Sequence, residues 1–222
     1  MGKVRVGAFS ISVDGFGAGL AQSLEDPLGR RGPELFAWFR ATKFFRAMVG
    51  QEGGTEGVDN QYGTRAMAGF GAFILGRNMF GPVRGPWTDD SWKGWWGANP
   101  PYHAPTFSLT HHARPPIEME GGTTFHFVTG GIEEALKQAK AAAGSLDVKI
   151  GGGVSTVRQY LEADLIDELN FAISPVVLGQ GEAVFSGIDL YAHGFRVTEH
   201  VPTENATHLV LTRAPGTGTG KR

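Results

Sequence analysis

Two periods alternate along the chain. Short apolar runs of period two mark strands, and longer runs with apolar residues three and four apart mark helices. Val4 to Ile11 alternates and is rich in β-branched residues, which predicts a first strand over Lys3–Ser10. Pro33 to Val49 carries Leu35, Phe36, Phe39, Phe44 and Phe45 and predicts a helix, with Pro33 in its first turn. A second helix is expected over Val58–Gly69, then an apolar strand, Ala72–Leu75, that runs into Gly76-Arg77-Asn78-Met79-Phe80. Strands follow at Thr106–Thr110 and Thr124–Thr129. Ile132–Ala143 reads as an amphipathic helix closed by Gly144. Asp147–Ile150 is a short strand, and from Val154 the period changes to helical through Val157, Tyr160 and Leu161. Asp167–Pro175 alternates and continues into Val176-Val177-Leu178. Phe195–His200 and His208–Arg213 alternate as a closing antiparallel hairpin. This order predicts an α/β fold with a mostly parallel sheet and an antiparallel edge.

Composition narrows the classes. The 222 residues fit one domain, or one domain with a large insertion. The net charge is −2 and no basic cluster marks a nucleic-acid surface. With no cysteine there is neither a disulfide framework nor a thiolate nucleophile or metal ligand. No apolar run is long enough to span a membrane, and no signal peptide stands at the start, so a cytoplasmic protein is expected. The 34 glycines imply many turns, or backbone placed against ligands.

The chemistry is expected at strand-to-helix junctions. Lys149-Ile150-Gly151-Gly152-Gly153-Val154-Ser155-Thr156 ends a strand, turns on glycine and starts a helix, whose free N–H groups suit a phosphate. The same turn also serves simple packing. At Gly76-Arg77 an arginine opposes the dipole at a helix start, and an anion is a good reason for it. Thr110-His111-His112 ends another strand; adjacent histidines on extended chain point apart, so no metal pair is expected. Near the start, Ser12-Val13-Asp14-Gly15-Phe16-Gly17-Ala18-Gly19 forms a glycine loop that does not fit a dinucleotide fingerprint. Gly216, Gly220 and Lys221 fail the spacing of a P-loop. Residues 81–105 are too long for a plain connector and hold Trp87, Trp92, Trp95 and Trp96, which suit either a binding loop or a covered core edge or subunit contact.

This series of junctions resembles the dihydrofolate reductase superfold. It is most similar to the branch that includes the C-terminal reductase domain of bacterial riboflavin biosynthesis. Arg158-Gln159-Tyr160-Leu161, Ile166-Asp167-Glu168-Leu169 and Pro175-Val176-Val177-Leu178-Gly179-Gln180-Gly181-Glu182 carry that resemblance. It implies a three-layer α/β fold, with a mostly parallel central sheet, antiparallel C-terminal edge strands and helices on both faces. One domain is expected over 1–213, with long insertions near 21–62 and 81–105, and a disordered tail over 214–222.

The resemblance also implies an NADPH-dependent reductase of a small planar heterocycle (pterin-, pyrimidine- or flavin-like) or a carbonyl compound. The alternative is a non-catalytic nucleotide- or flavin-binding protein on the same scaffold. Gly76, Arg77 and Thr110, with His111 or His112 as a further partner, would hold the 2′-phosphate side of the cofactor. Gly151, Gly152, Gly153, Val154 and Ser155 would carry the pyrophosphate. The loop at Asp14 would close over the nicotinamide, with Asp14 as acid or polar anchor. Trp92, Trp95, Trp96 and Tyr102 would stack on the substrate. Met79 stands where the dihydrofolate reductase pattern has threonine, which removes a hydroxyl from the pyrophosphate side. The family's substrate carboxylate has only Glu34 and Asp59 as candidates, neither in a matching motif. A homodimer is expected, with Phe171–Leu178 pairing or packing across a two-fold axis; the other reading of that stretch is contact with the protein's own helices.

Overall fold

The computed structural model describes residues 2–81 and 84–214. The expected tail, with Gly216, Gly220 and Lys221, lies outside the described residues apart from Ala214. The elements in chain order are β1 (Val4–Ser12), β2 (Phe16–Ala18), α1 (Ala37–Arg40), α2 (Lys43–Met48), α3 (Val58–Arg65), β3 (Phe70–Gly76), α4 (Arg77–Phe80), β4 (Pro105–Leu109), β5 (Ile117–Glu118) and β6 (Thr124–Val128). They continue with α5 (Gly131–Ala143), β7 (Asp147–Gly152), α6 (Val154–Glu162), β8 (Glu168–Ser174), β9 (Glu182–Ala183), β10 (Phe195–Pro202) and β11 (Thr207–Arg213).

Nine strands form one sheet in the order β10-β11-β8-β1-β7-β3-β4-β6-β5. The six from β8 to β6 run parallel, while β10 and β11 close one edge antiparallel and β5 the other. Alternation along the strands decides which face each residue serves. Val4, Val6, Ala72, Ile74, Val148 and Ile150 join one apolar core with Leu136 and Ala139 of α5 and Val157 and Leu161 of α6. The opposite face carries Ser10 and Ala172, covered by Trp38 of α1, whose indole donates to Ser10 Oγ at 3.0 Å. Helices therefore lie on both faces, as the sequence reading implied.

Three local expectations change. The single helix over Pro33–Val49 is a 3-10 turn, Gly32–Phe36, followed by α1 and α2. Buried Thr42 breaks it: its backbone is extended, its hydroxyl caps α2 at Phe45 N, and it bridges to Thr55. The strand expected to run on to Leu178 stops at Ser174. Phe171–Ser174 lies between β1 and β11, with Phe171 in the main core and Ser174 Oγ donating to Leu35 O at 2.6 Å. That part of the proposed dimer surface is thus occupied by the chain itself. Third, β2 of the glycine loop pairs with β9, which ties residues 16–18 to 182–183. No helix among the described residues is long and apolar enough to cross a membrane.

Candidate active site

A cavity of about 700 Å³ follows the C-terminal ends of β1, β3, β4, β6 and β7, touching Ser10, Gly76, Leu109, Val128 and Gly151. Ligands of open α/β sheets bind at this end of the strands. From there the cavity turns onto the face opposite α5 and α6, where Phe39, Met67, Phe73, Trp96 and Tyr102 line it. One end is therefore built of strand-to-helix junctions and the other of apolar side chains.

At the junction end two helices begin. Gly153, Val154, Ser155 and Thr156 of the α6 start line the cavity, and so do Gly131 and Ile132 of α5. Neither helix has a side-chain cap, so the first N–H groups are free for a ligand. Close packing sets the junction: a Cβ at Gly76 would run into Thr156 Oγ1. Gly152, at φ 124°, is buried beneath, and it alone of the expected glycine-turn residues is not part of the lining.

Arg77 lies beside them. Its guanidinium stacks on Trp87, 3.0 Å from the ring centroid, while Arg114 stands 4.8 Å from the same centroid. The loop holding this pair is fixed by the Trp87 indole, which donates to His112 O at 2.8 Å, and by Thr110 Oγ1, which accepts from His112 N at 3.2 Å. Burial, with Arg114 nearby, pulls Arg77 down to about 10, so it stays charged at neutral pH. Nε and Nη1 of Arg77 and Nη1 of Arg114 are buried without a partner. Buried donors of this kind are costly; the spare Nε–Nη1 fork of Arg77 fits a phosphate dianion, and Arg114, whose Nη2 donates to Asp90 O, adds one orphaned nitrogen. Gly76, Thr110, His111 and His112 also line the cavity, so the junctions expected to act together do meet. Arg114 and the α5 start are additions the sequence reading missed, and Trp87, read there only as part of the aromatic loop, stacks on Arg77.

The tryptophan loop divides. Trp96 and Tyr102 line the apolar end, and burial raises the Tyr102 phenol to about 12. Trp92 and Trp95 do not line it: their indoles donate to Phe80 O at 2.8 Å and Asn78 O at 3.0 Å, and their rings pack edge to face. They are struts that pin the loop to α4, because a buried indole N–H needs an acceptor and the α4 carbonyls supply it.

Asp14 is also displaced from its expected role. Its exposed carboxylate accepts from Leu178 N at 3.1 Å and Gly179 N at 2.6 Å and is not part of the cavity lining. A hydrogen bond from Ser12, followed by those backbone N–H groups, holds it below the usual carboxylate range. It clamps the 13–19 loop to the 178–179 turn. Asp14→Asn should make these loops more open to limited proteolysis and leave the affinity for any ligand of the cavity unchanged; a weakened ligand at unaltered protease sensitivity would return Asp14 to the site. Of the carboxylates considered for the substrate, Glu34 pairs with Arg31 at the surface and Asp59 bonds His208. No group of three or more metal-ligating side chains occurs among the described residues.

Comparison with known proteins follows this geometry. A family model described as the RibD C-terminal domain matches residues 6–209. Among solved structures, a protein assigned to riboflavin biosynthesis from Shewanella sp. PV-4 has a TM-score of 0.57 at 21% identity, covering 96% of this chain and 99% of the other. The diaminohydroxyphosphoribosylaminopyrimidine deaminase/5-amino-6-(5-phosphoribosylamino)uracil reductase of Thermotoga maritima gives 0.56 at 15% identity, over 96% of this chain and 57% of the other. RibD of Acinetobacter baumannii gives 0.54 at 19%, over 96% and 58%. At these identities the likeness is one of fold, and the chain spans little more than half the length of the last two proteins. No curated protein matches the chain significantly.

Proposed function

We propose, because the chain belongs to the RibD C-terminal domain family, that it is a reductase that takes hydride from NADPH and delivers it to a small planar heterocycle or carbonyl compound. The observation that carries the reading is Arg77, whose Nε and Nη1 are orphaned and which lines the same cavity that two uncapped helix N-termini open on, with Arg114 next to it on the shared Trp87 ring. A dinucleotide with an extra phosphate matches that donor set: Arg77 and Arg114 would take the 2′-phosphate, and the α6 start with Ser155 the pyrophosphate. Bound there, the cofactor supplies the hydride.

The chain's own work is to bind, orient and dry the site. The glycine turn lets α6 approach closely. The loop over 13–19, tied by Asp14 and by β2–β9 pairing, stands beside the cavity through Gly17 and Ala18. Phe73, Trp96 and Tyr102 give a flat ring apolar surfaces to lie against.

The test is oxidation of NADPH, followed by its near-ultraviolet absorbance, over a panel of pterins, pyrimidines, flavins and small carbonyl compounds. Saturable turnover with at least one acceptor, faster with NADPH than with NADH, is expected. Tight NADPH binding with every acceptor inert would leave a nucleotide-binding protein without this chemistry, and failure to bind NADPH would remove the reading altogether.

A further inference from the structure

The apolar end of the cavity contains a cation. Lys149 is the only lysine that lines the cavity among the described residues, and it sits in the middle of β7, a strand with parallel neighbours on both sides. In register it lies between Arg5 of β1 and Phe73 of β3. Val148 and Ile150 beside it face the α5–α6 core, so the Lys149 side chain rises on the other face, where the cavity is. Gly7 lies beside its stem: a Cβ there would touch Lys149 Cε at an ordinary 3.5 Å and press on Ala66 O, the lysine's acceptor, at 3.1 Å.

The ammonium is not satisfied. It has three protons to give. One goes to Ala66 O at 2.6 Å and one to the weak thioether acceptor of Met67 at 3.3 Å. No carboxylate pairs with it among the described residues, since the nearby Asp147 and Glu168 are held by Arg5. Burial and the Arg5 charge bring its pKa down to about 8. A buried ammonium without a counter-ion is costly, and this one faces an apolar cavity rather than the packed core.

We propose that Lys149 is the substrate-anchoring residue of the site: its remaining N–H donates to a carbonyl or enolate oxygen at the edge of a planar ring held among Phe73, Trp96 and Tyr102. The proposal rests on the reductase reading and sharpens it. The ring carries an oxygen acceptor at that edge, and a ring with an amino group in the same place is disfavoured, because two donors would then face each other.

The experiment uses the full chain at pH 7, saturated with NADP⁺, and two probes of matched shape, lumazine (2,4-dioxopteridine) and 2,4-diaminopteridine. Fluorescence titration should give tighter binding of lumazine to the wild type. Lys149→Met should weaken lumazine by roughly tenfold, the size of one charge-assisted hydrogen bond, while leaving NADPH affinity unchanged and not weakening diaminopteridine, which loses an opposing donor. A second readout needs no turnover. With ¹³C-labelled lysine, the Cε signal missing from Lys149→Met should move when lumazine is added to the wild type, and stay still with diaminopteridine. A Lys149 that only ties Ala66 to the sheet would lower thermal stability when replaced, yet leave the lumazine preference and that signal unmoved, which overturns the proposal. Wild type that binds NADPH but shows no preference for lumazine overturns it too. Wild type that fails to bind NADPH strikes the reductase reading instead, and the Cε signal then judges Lys149 independently.

Discussion

On the proposed reductase reading, Arg77→Ala should abolish the expected preference for NADPH over NADH. The Arg77 Nε and Nη1 groups are buried and unpartnered, so a phosphate dianion meets donors that owe nothing to another acceptor. Charge-assisted bonds of this kind are worth about 1.5–3 kcal/mol each, so the loss of even one should lower NADPH affinity roughly 10- to 100-fold while NADH affinity stays nearly constant. Arg77→Lys should fall between, since it keeps the charge and loses the planar fork and the stack on Trp87. Arg114→Ala should cost less, because Arg114 already donates to Asp90 O at 2.8 Å. As both guanidinium groups share Trp87, the double variant should lose less than the sum of the two single losses. Tryptophan quenching by each nucleotide measures all of this. Equal loss of NADH and NADPH would mean that Arg77 serves the pyrophosphate or the loop rather than the 2′-phosphate.

The junctions were legible because their signals are local. A strand that ends on Gly76-Arg77 or Gly151-Gly152-Gly153 announces itself by composition and by a change of period, and the alternation of Phe195–His200 and His208–Arg213 correctly gave the closing hairpin. Features that depend on distant neighbours were hidden. Arg114 lies just past the Thr110-His111-His112 junction in an irregular segment, and only the fold brings it to Trp87. Trp92 and Trp95 read as pocket residues because composition cannot tell an indole that meets a ligand from one that meets a carbonyl. The break at Thr42 was concealed by the strong apolar period of the phenylalanines around it. Lys149 did leave a trace: a lysine between Val148 and Ile150, in a strand that a mostly parallel sheet buries on both faces, breaks the expected pattern.

Removing Asp59 should destabilise the whole domain without touching the cavity. Its carboxylate accepts from His208 Nε2 at 2.7 Å, Thr203 Oγ1 at 2.9 Å and Asn205 Nδ2 at 3.2 Å, which joins α3 to β11 and to the turn before it. His208 is fully buried, stacked on Tyr62 at 4.1 Å between ring centroids and edge-on to Trp38 at 4.9 Å. Its Nδ1 already lacks a partner, so nothing among the described residues replaces Asp59. Asp59→Ala leaves buried donors facing an apolar gap, a loss of about 2–5 kcal/mol, and at 222 residues this is roughly 5–15 °C in melting temperature. Asp59→Asn keeps the shape and one acceptor oxygen and should lose less. Below the lowered transition, NADPH affinity of either variant should match the wild type, since Asp59 does not line the cavity. A variant that melts as the wild type does, but no longer turns over, would put Asp59 back beside the substrate. The expected opposite, a fold weakened and a site intact, would show that Asp59, which bonds the buried His208, serves the architecture rather than the cavity.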